Sequence, residues 1–265
     1  MKKRADIILF EKGLVDSREK AKRVIMEGTV FIGNERVSKP GDKIDEDSEI
    51  YIKDNPIKYV SRGGLKLEKA IKDFELNLEN VVAMDIGSST GGFTDCMLQE
   101  KASKVYAVDV GYGQLDWSLR QDPRVVVMER TNIRNIIKDD IEDDLDFVSI
   151  DVSFISLKLV LPVAKSLMKD KAELIALIKP QFEAGREKVG KNGIVREKQT
   201  HKEVIRTIVD YLCEIGLGPR QISYSPITGA KGNIEFLVHA VKKGDCLVDD
   251  EIINKIGRAS CRERV

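Results

Sequence analysis

The chain is poor in the residues that build metal sites and disulfide frameworks. Its 265 residues include only two histidines, His201 and His239, and four cysteines, no two of which have C-x-x-C spacing. A zinc site needs clustered thiolate and imidazole ligands, and disulfide-rich domains carry cysteines in regular spacings. We therefore expect neither a zinc site nor a disulfide framework.

Long apolar runs and an excess of one charge are also missing. No stretch approaches the roughly 18 apolar residues of a membrane span, and charged residues interrupt the segment after Met1 where a secretory signal would be apolar. Lys and Arg total 44, and Asp and Glu total 44. We expect a soluble cytoplasmic protein, in which any binding of nucleic acid depends on where the charges lie.

The sequence changes in character along its length. Residues 1–58 are highly charged with short helix and strand signals, and residues 59–64 are predicted to be a linker. Residues 65–245 alternate apolar runs of strand length with helical patterns, which predicts a doubly wound, mostly parallel α/β sheet. The C-terminal segment, 246–265, ends in nine residues that fit neither pattern, and we interpret those nine as foreign to the fold.

The end of the sheet is expected to differ from the rest. Residues 221–225 and 234–241 read as two strands whose connection is too short for a helical crossover. Such strands pair antiparallel. A Rossmann-like sheet with an antiparallel last strand is similar to that of class I methyltransferases.

A glycine-rich turn follows the first predicted strand of this sheet. Its spacing, G-x-x-x-G-G, lets a ligand approach the N–H groups at a helix start but differs from the G-x-G-x-x-G of pyrophosphate sites. Asp109, at the end of the next strand, can accept hydrogen bonds from a ribose diol, in nicotinamide and S-adenosylmethionine sites alike. The glycine spacing opposes a nicotinamide. The predicted cofactor-binding residues are Asp85, Gly87, Ser88, Ser89, Thr90, Gly91, Gly92, Asp109 and Asn132, of which Asn132 could instead cap the following helix.

Several segments carry a family resemblance. Residues 85–94 resemble the D-x-G-x-x-x-G-G-[FW] signature of FtsJ-like ribose 2′-O-methyltransferases, with Ser89 where many other methyltransferases have glycine. Five further segments, in order, are similar to the TlyA family of ribosomal RNA cytidine 2′-O-methyltransferases, often labelled hemolysins: 59–67, 110–115, 151–157, 179–183 and 232–236. The resemblance, which covers residues 1–256, implies S-adenosylmethionine as cofactor and ribosomal RNA, within ribosomal subunits, as partner.

The resemblance also implies a catalytic Lys-Asp-Lys-Glu tetrad, at Lys66, Asp151, Lys179 and Glu235. Independently, Asp151 and Lys179 each follow an apolar strand, and Glu235 begins the antiparallel strand, so all three belong at the edge where α/β sheets bind ligands. We expect Lys179 to activate the 2′-hydroxyl, Asp151 to hold Lys179, and the other two to orient the ribose. Lys66 is the residue that the pattern constrains least.

The first part of the chain resembles the ribosomal-protein S-four-type (alpha-L motif) RNA-binding domain, a small α+β domain. Ser17 is a plausible cap for a helix on which Arg18 and Lys22, four positions apart, share a face. Such cations suit RNA phosphates, although a solvated helix face offset by acidic neighbours is the alternative. The predicted RNA-binding residues are Lys2, Lys3, Arg4, Arg18, Lys20, Lys22, Arg23 and Arg62.

Other functions fit less of the sequence. An RNA-binding protein without activity, or a membrane-lytic hemolysin, is the alternative to the enzyme, but the four tetrad positions are filled and no amphipathic apolar face is visible. A pseudouridine synthase would need a catalytic Asp in an R-L-D context, which is missing.

Two further expectations concern the surroundings of the site. Phe154 is expected to pack in the core, and residues 181–196 are expected to form an irregular loop that could close over RNA.

Overall fold

The computed structural model describes residues 2–26, 28–33, 35–52 and 58–259. Contacts divide the chain into two compact units, residues 1–58 and 59–265. Among the described residues, none of the helices has both the length and the apolar character needed to cross a bilayer.

The first unit is a small α+β domain. Two helices pack on short antiparallel pairings, β1 with β4 and β3-β2-β5, around a core that includes Leu9, Ile25 and Val30. The predicted cap is confirmed, because Ser17 Oγ accepts a hydrogen bond from the N–H of Lys20 at 3.1 Å. The elements are β1 (Lys2–Arg4), α1 (Ala5–Glu11), α2 (Arg18–Met26), β2 (Val30–Ile32), β3 (Glu35–Arg36), β4 (Lys43–Asp45) and β5 (Ile50–Ile52).

The second unit is built on a seven-stranded sheet in the order β11-β12-β10-β9-β6-β7-β8. Its elements are α3 (Gly63–Asp73), β6 (Val82–Ile86), α4 (Gly92–Gln99), β7 (Lys104–Val108), α5 (Trp117–Arg120), β8 (Val125–Met128), β9 (Leu145–Ile150), α6 (Leu161–Leu167), β10 (Met168–Ile178), α7 (Pro180–Glu183), α8 (Lys198–Glu214), β11 (Leu217–Tyr224), β12 (Phe236–Lys242) and α9 (Asp250–Ala259).

The pairing of these strands confirms the predicted fold class. Strands β8, β7, β6, β9 and β10 are parallel, whereas β12 lies antiparallel between β10 and β11. The carboxyl ends of β6, β7, β9 and β10 and the amino end of β12 therefore lie at one edge. The strands are almost continuous runs of apolar residues because helices and buried clusters cover both faces of the sheet.

The structure differs from the predicted boundaries at three places. Strand β10 begins at Met168, six residues before the apolar run; the sequence did not predict this part because residues 169–171 are charged and exposed. The predicted linker, 59–64, is counted with the second unit: Tyr59 is buried, and a side chain on Gly64 would meet the Tyr59 ring at 2.3 Å. The C-terminal segment packs as well, with Val248 and Ile253 buried where α9 contacts α8 and β11.

One disulfide ties this segment to the rest of the unit. Cys213, near the end of α8, is bonded to Cys246, with 6.0 Å between their Cα atoms. We expected no disulfide framework. The two cysteines are 33 positions apart, and this separation in the sequence does not predict a bond between them. Of the nine residues that we interpreted as foreign to the fold, the first three extend α9, and the last six lie outside the described residues.

Candidate active site

Four charged side chains from four elements meet at the carboxyl edge of the sheet. Lys66 comes from α3, Asp151 follows β9 directly, Lys179 follows β10 directly, and Glu235 precedes β12. Lys66 Nζ lies 2.7 Å from Glu235 Oε2 and 3.3 Å from Asp151 Oδ2. Lys179 Nζ lies 2.6 Å from Asp151 Oδ1. The structure thus brings all four predicted tetrad positions into one chain of ion pairs.

Burial and mutual attraction fix the charges of this network. Burial opposes ionisation of Asp151, but Lys66 and Lys179 outweigh it and hold the Asp151 pKa below the usual aspartate value. Burial alone would lower the pKa of Lys66, but Asp151 and Glu235 outweigh it and raise that pKa. Lys66 and Asp151 therefore stabilise each other's charged forms in a site nearly closed to solvent.

Two contacts around the tetrad were missed by sequence reasoning. Lys179 Nζ donates a hydrogen bond to Ser153 Oγ at 3.0 Å, so Asp151 and Ser153 together orient the amine. On the opposite side, a side chain on Gly229 would meet Glu235 Oε1 at 2.0 Å, so the turn before β12 closes directly over that carboxylate. A serine in a loop and a glycine in a turn carry no signal that would have marked these contacts.

A cavity of about 750 Å³ lies beside the tetrad, between the ends of β6, β7 and β9. Its walls are largely apolar, with Val108, Val152 and Ile133 among the lining residues. A few polar residues, including Asp109 and Asn132, line it as well. An apolar pocket with a few polar groups is the usual form of a small-molecule site.

A smaller cavity of about 250 Å³ adjoins the first on the side of Lys179. Both are lined by Gly87, Ser89, Asp151 and Ser153, whereas Lys179 lines only the smaller one. Two ligands, one in each cavity, would therefore meet next to the Asp151 carboxylate.

The glycine-rich turn divides its predicted cofactor-binding residues between these cavities. Gly87 and Ser89 line both, whereas Ser88, Thr90 and Gly92 line only the smaller one. The N–H of Ser88 donates to the carbonyl of Val108 at 3.1 Å, and the N–H of Ser89 to Asp109 Oδ2 at 2.8 Å. These two N–H groups are therefore engaged within the protein, so Ser88 and Ser89 would contact a cofactor through other atoms.

Two predicted cofactor-binding residues line neither cavity. Asp85 is fully buried beneath the turn, where its carboxylate accepts hydrogen bonds from the N–H and hydroxyl of Thr94 and the hydroxyl of Ser149. Gly91 has a φ of +93°, and a side chain there would meet Leu119 at 2.2 Å. Both predicted contacts are corrected: Asp85 shapes the turn from below, and Gly91 is required by backbone conformation and packing.

The remaining cofactor-binding predictions lie on the wall of the larger cavity. The Asp109 carboxylate accepts hydrogen bonds from Ser89 and Gly111, yet each oxygen can accept one more. Asn132 Oδ1 caps the short helix that follows by accepting from the N–H of Arg134 at 3.1 Å, and Asn132 also lines the cavity. Ser89 has a φ of +48°, the left-handed conformation that glycine adopts readily in the related motif.

The predicted RNA-binding cations differ in their surroundings. Four of them already have carboxylate partners: Lys3 pairs with Glu11 and Glu46, Arg4 and Arg18 both pair with Asp6, and Lys20 pairs with Asp16. The face that we expected Arg18 and Lys22 to share is thus partly neutralised, because buried Asp6 needs compensation.

The other four cations lie in three different surroundings. Lys22 and Arg62 are exposed and have no carboxylate partner in the part of the chain that the structure describes. Lys2 stands opposite Asp45 in the pairing of β1 with β4, and Arg23 is half-buried on α2.

Phe154 lies at the surface, not in the core as we expected. Its side chain is 92% exposed, and its φ is +63°. The ring contacts Phe182, with 5.0 Å between the ring centroids, and the residue lines the larger cavity. The left-handed backbone turns the side chain outward, so a solvent-exposed aromatic ring lies three residues after Asp151.

Comparison with known proteins agrees with this architecture. Residues 59–242 match the family described as FtsJ-like methyltransferase, and residues 3–50 match the S4 domain. The chain belongs to the FtsJ-like methyltransferase family. The resemblance found in the sequence is therefore confirmed.

Individual members of the family are similar over most of the chain. A Bacillus subtilis (strain 168) protein named "Putative rRNA methyltransferase YqxC" is 51% identical over 97% of this chain and 94% of its own. The Mycobacterium tuberculosis (strain ATCC 25618 / H37Rv) 16S/23S rRNA (cytidine-2′-O)-methyltransferase TlyA is 38% identical over 89% of this chain and 88% of its own. A solved structure titled "Putative hemolysin from Streptococcus thermophilus" is 47% identical, with a TM-score of 0.79, over 98% of this chain and 95% of its own.

Proposed function

We propose that this FtsJ-like methyltransferase transfers a methyl group from S-adenosylmethionine to the ribose 2′-hydroxyl of a cytidine in ribosomal RNA. The observation that carries the proposal is the ion-pair chain Glu235–Lys66–Asp151–Lys179 at the junction of two cavities. Methyl transfer to a hydroxyl needs both reactants held in line and a group that handles the hydroxyl proton. The junction offers both.

The larger cavity fits the cofactor. Its volume of about 750 Å³ lies in the range typical of small-molecule sites. Asp109 would hold the ribose and Asn132 the adenine. At Gly87, a side chain would meet the backbone oxygen of Asp151 at 2.6 Å, so the turn and the loop after β9 already touch at this point. When bound, S-adenosylmethionine supplies an electrophilic methyl group on a sulfonium.

Lys179 is the group that acts on the substrate hydroxyl. As a neutral amine it accepts the hydroxyl proton, and the ammonium formed in this way stabilises the alkoxide that attacks the methyl group. Asp151 and Ser153 fix the position of its Nζ on the wall of the smaller cavity. Lys66 helps to keep Asp151 ionised, and Lys66 and Glu235 together orient the ribose.

Recognition of RNA is assigned to the S4 unit and to aromatic and basic groups near the cavities. The exposed cations Lys22 and Arg62 can bind phosphates. The exposed ring of Phe154 can stack on a nucleobase that is taken out of an RNA helix. Relatives named 16S/23S rRNA (cytidine-2′-O)-methyltransferases favour ribosomal RNA in cytoplasmic ribosomal subunits as the substrate.

The proposal is tested with purified protein, labelled S-adenosylmethionine and ribosomal subunits from cells that lack the protein. We expect one or a few 2′-O-methylcytidines, mapped in the ribosomal RNA, and no product with Lys179→Ala. The matched control is Lys101→Ala, because Lys101 precedes β7 and so lies at the opposite edge of the sheet. Unchanged turnover in Lys179→Ala would refute the assignment. Binding of RNA without methylation by the wild type, or leakage of liposomes as its sole activity, would refute the proposed function.

A further inference from the structure

Two chain segments lie side by side next to the tetrad. The tetrad residues belong to only one end of this pair of segments. The first segment, 151–157, follows β9, and the second, 179–183, follows β10 and forms α7. At the near end, Lys179 contacts Asp151 and Ser153. This end is the chemical part of the proposed site.

At the far end, a half-buried carboxylate makes the connection. Glu183 Oε2 accepts a hydrogen bond from Ser156 Oγ at 2.6 Å, and Glu183 Oε1 accepts one from the N–H of Leu157 at 2.8 Å. Burial raises the pKa of Glu183, and the two hydrogen bonds only partly offset this. The two hydrogen bonds replace the hydration that the half-buried carboxylate loses, and they tie α7 to the start of the segment after β9.

Between the two ends lies the contact of Phe154 with Phe182. Phe154 has a left-handed backbone, an uncommon conformation for a large side chain that persists only where neighbouring contacts hold it. The segments thus touch at three successive levels: Lys179 with Asp151 and Ser153, Phe182 with Phe154, and Glu183 with Ser156 and Leu157.

We propose that Glu183 is a positioning residue for methyl transfer, which acts through Ser156 and Leu157 to hold Ser153 and Phe154 in place. This inference rests on the proposed function. It assigns a role to Glu183, the acidic residue that ends segment 179–183. Without the anchor, only the contact of Phe154 with Phe182 and the hydrogen bond from Lys179 to Ser153 would hold residues 152–155 against the second segment, and that hydrogen bond would loosen. A displacement of about 1 Å near reacting atoms can cost on the order of a hundredfold in rate.

The test compares Glu183→Gln, Ser156→Ala and Ser156→Thr with the wild type. Glu187→Gln is the matched control, because Glu187 lies four positions further along and is exposed. We expect kcat to fall about tenfold or more in Glu183→Gln and Ser156→Ala, with KM for RNA and the thermal midpoint nearly unchanged. Ser156→Thr, which keeps the hydroxyl, and Glu187→Gln should retain wild-type kcat.

Two further measurements separate positioning from general damage. Combining Glu183→Gln with Ser156→Ala should lower kcat hardly more than Glu183→Gln alone, because both remove the same contact. Hydrogen exchange should accelerate over residues 152–158 and stay unchanged in β6. Wild-type kcat in Glu183→Gln, or additive losses in the double variant, would overturn this inference while leaving the proposed function intact. A wild type that does not methylate RNA would overturn the proposed function itself.

Discussion

The ammonium of Lys66 lies 2.7 Å from the carboxylate of Glu235, although 169 positions of sequence separate the two residues. Glu235 is 3% exposed, so little water reaches this contact. Removing one member of a buried ion pair leaves the other charge uncompensated, which typically costs more than the pair contributes.

Substitution of Lys66 should therefore destabilise the protein as well as inactivate it. We expect Lys66→Met to lower the free energy of unfolding by about 3 kcal/mol. Adding Glu235→Gln should restore part of this loss, since no buried anion then remains at that position. Urea unfolding of the wild type, both single variants and the double variant gives the coupling free energy between Lys66 and Glu235. Additive losses would mean that the two charges do not depend on each other.

Gly87 should tolerate no side chain. Its φ is +87°, and an added Cβ would lie 2.6 Å from the backbone oxygen of Asp151. Gly113 is a matched control, with a φ of +70° and no atom within 4 Å of its added Cβ. We expect Gly113→Ala to cost about 1 kcal/mol from backbone strain alone, and Gly87→Ala to cost more and to weaken S-adenosylmethionine binding at least tenfold. Calorimetric titration measures the affinity, and equal effects of the two substitutions would contradict the prediction.

The sequence could predict the positions of Asp151 and Lys179 because the ends of parallel strands share one edge. Both follow apolar runs, so their place depended on strand periodicity and not on tertiary detail. Lys66 is different. Nothing in the amphipathic pattern of α3 indicates that this lysine reaches a carboxylate 169 positions away, and only the family resemblance singled it out.

Side-chain direction was the feature that the sequence could not predict. Asp85 occupies a signature position, but a motif does not say whether the carboxylate faces the ligand or, as here, supports the turn from within. Phe154 is apolar and was expected in the core, yet its left-handed backbone turns the ring outward. Such a conformation follows from tertiary contacts, among them the Glu183 anchor, that local propensity does not contain.

Asp85 should make stability depend on pH. Burial raises the pKa of Asp85 from 3.8 to about 7, with Thr94 partly opposing the shift. Between these values the folded protein keeps a proton that the unfolded chain releases, so the free energy of unfolding falls as the pH rises, by up to about 4 kcal/mol. Asp85→Asn keeps an acceptor for Thr94 but does not titrate, and should remove most of this dependence. Urea unfolding of the wild type and of Asp85→Asn from pH 5 to pH 8 measures this difference. Parallel pH profiles of the two proteins would contradict the prediction.

Phe154→Ala should weaken the use of RNA without affecting the fold. The ring is 92% exposed and contributes little to the core, whereas stacking of a base on an aromatic ring is worth about 1–3 kcal/mol. We expect kcat/KM for RNA to fall between about fivefold and a hundredfold, with an unchanged thermal midpoint. Leu247→Ala, at an exposed apolar residue in the segment after β12, is the control. Equal activities of the two variants would exclude a stacking role.

The bond between Cys213 and Cys246 should contribute stability only under oxidising conditions. It closes a loop of 33 residues and holds the segment that leads into α9 against α8. In the chain-entropy account, closing a loop of this length stabilises a fold by about 3–4 kcal/mol. We therefore expect Cys246→Ser to lower the thermal midpoint by several degrees in the absence of reductant. In excess dithiothreitol the wild type should unfold at the same temperature as the variant, because neither chain is then cross-linked. A difference that persists in full under reduction would show that packing of the Cys246 side chain, and not the covalent link, stabilises this end of the unit.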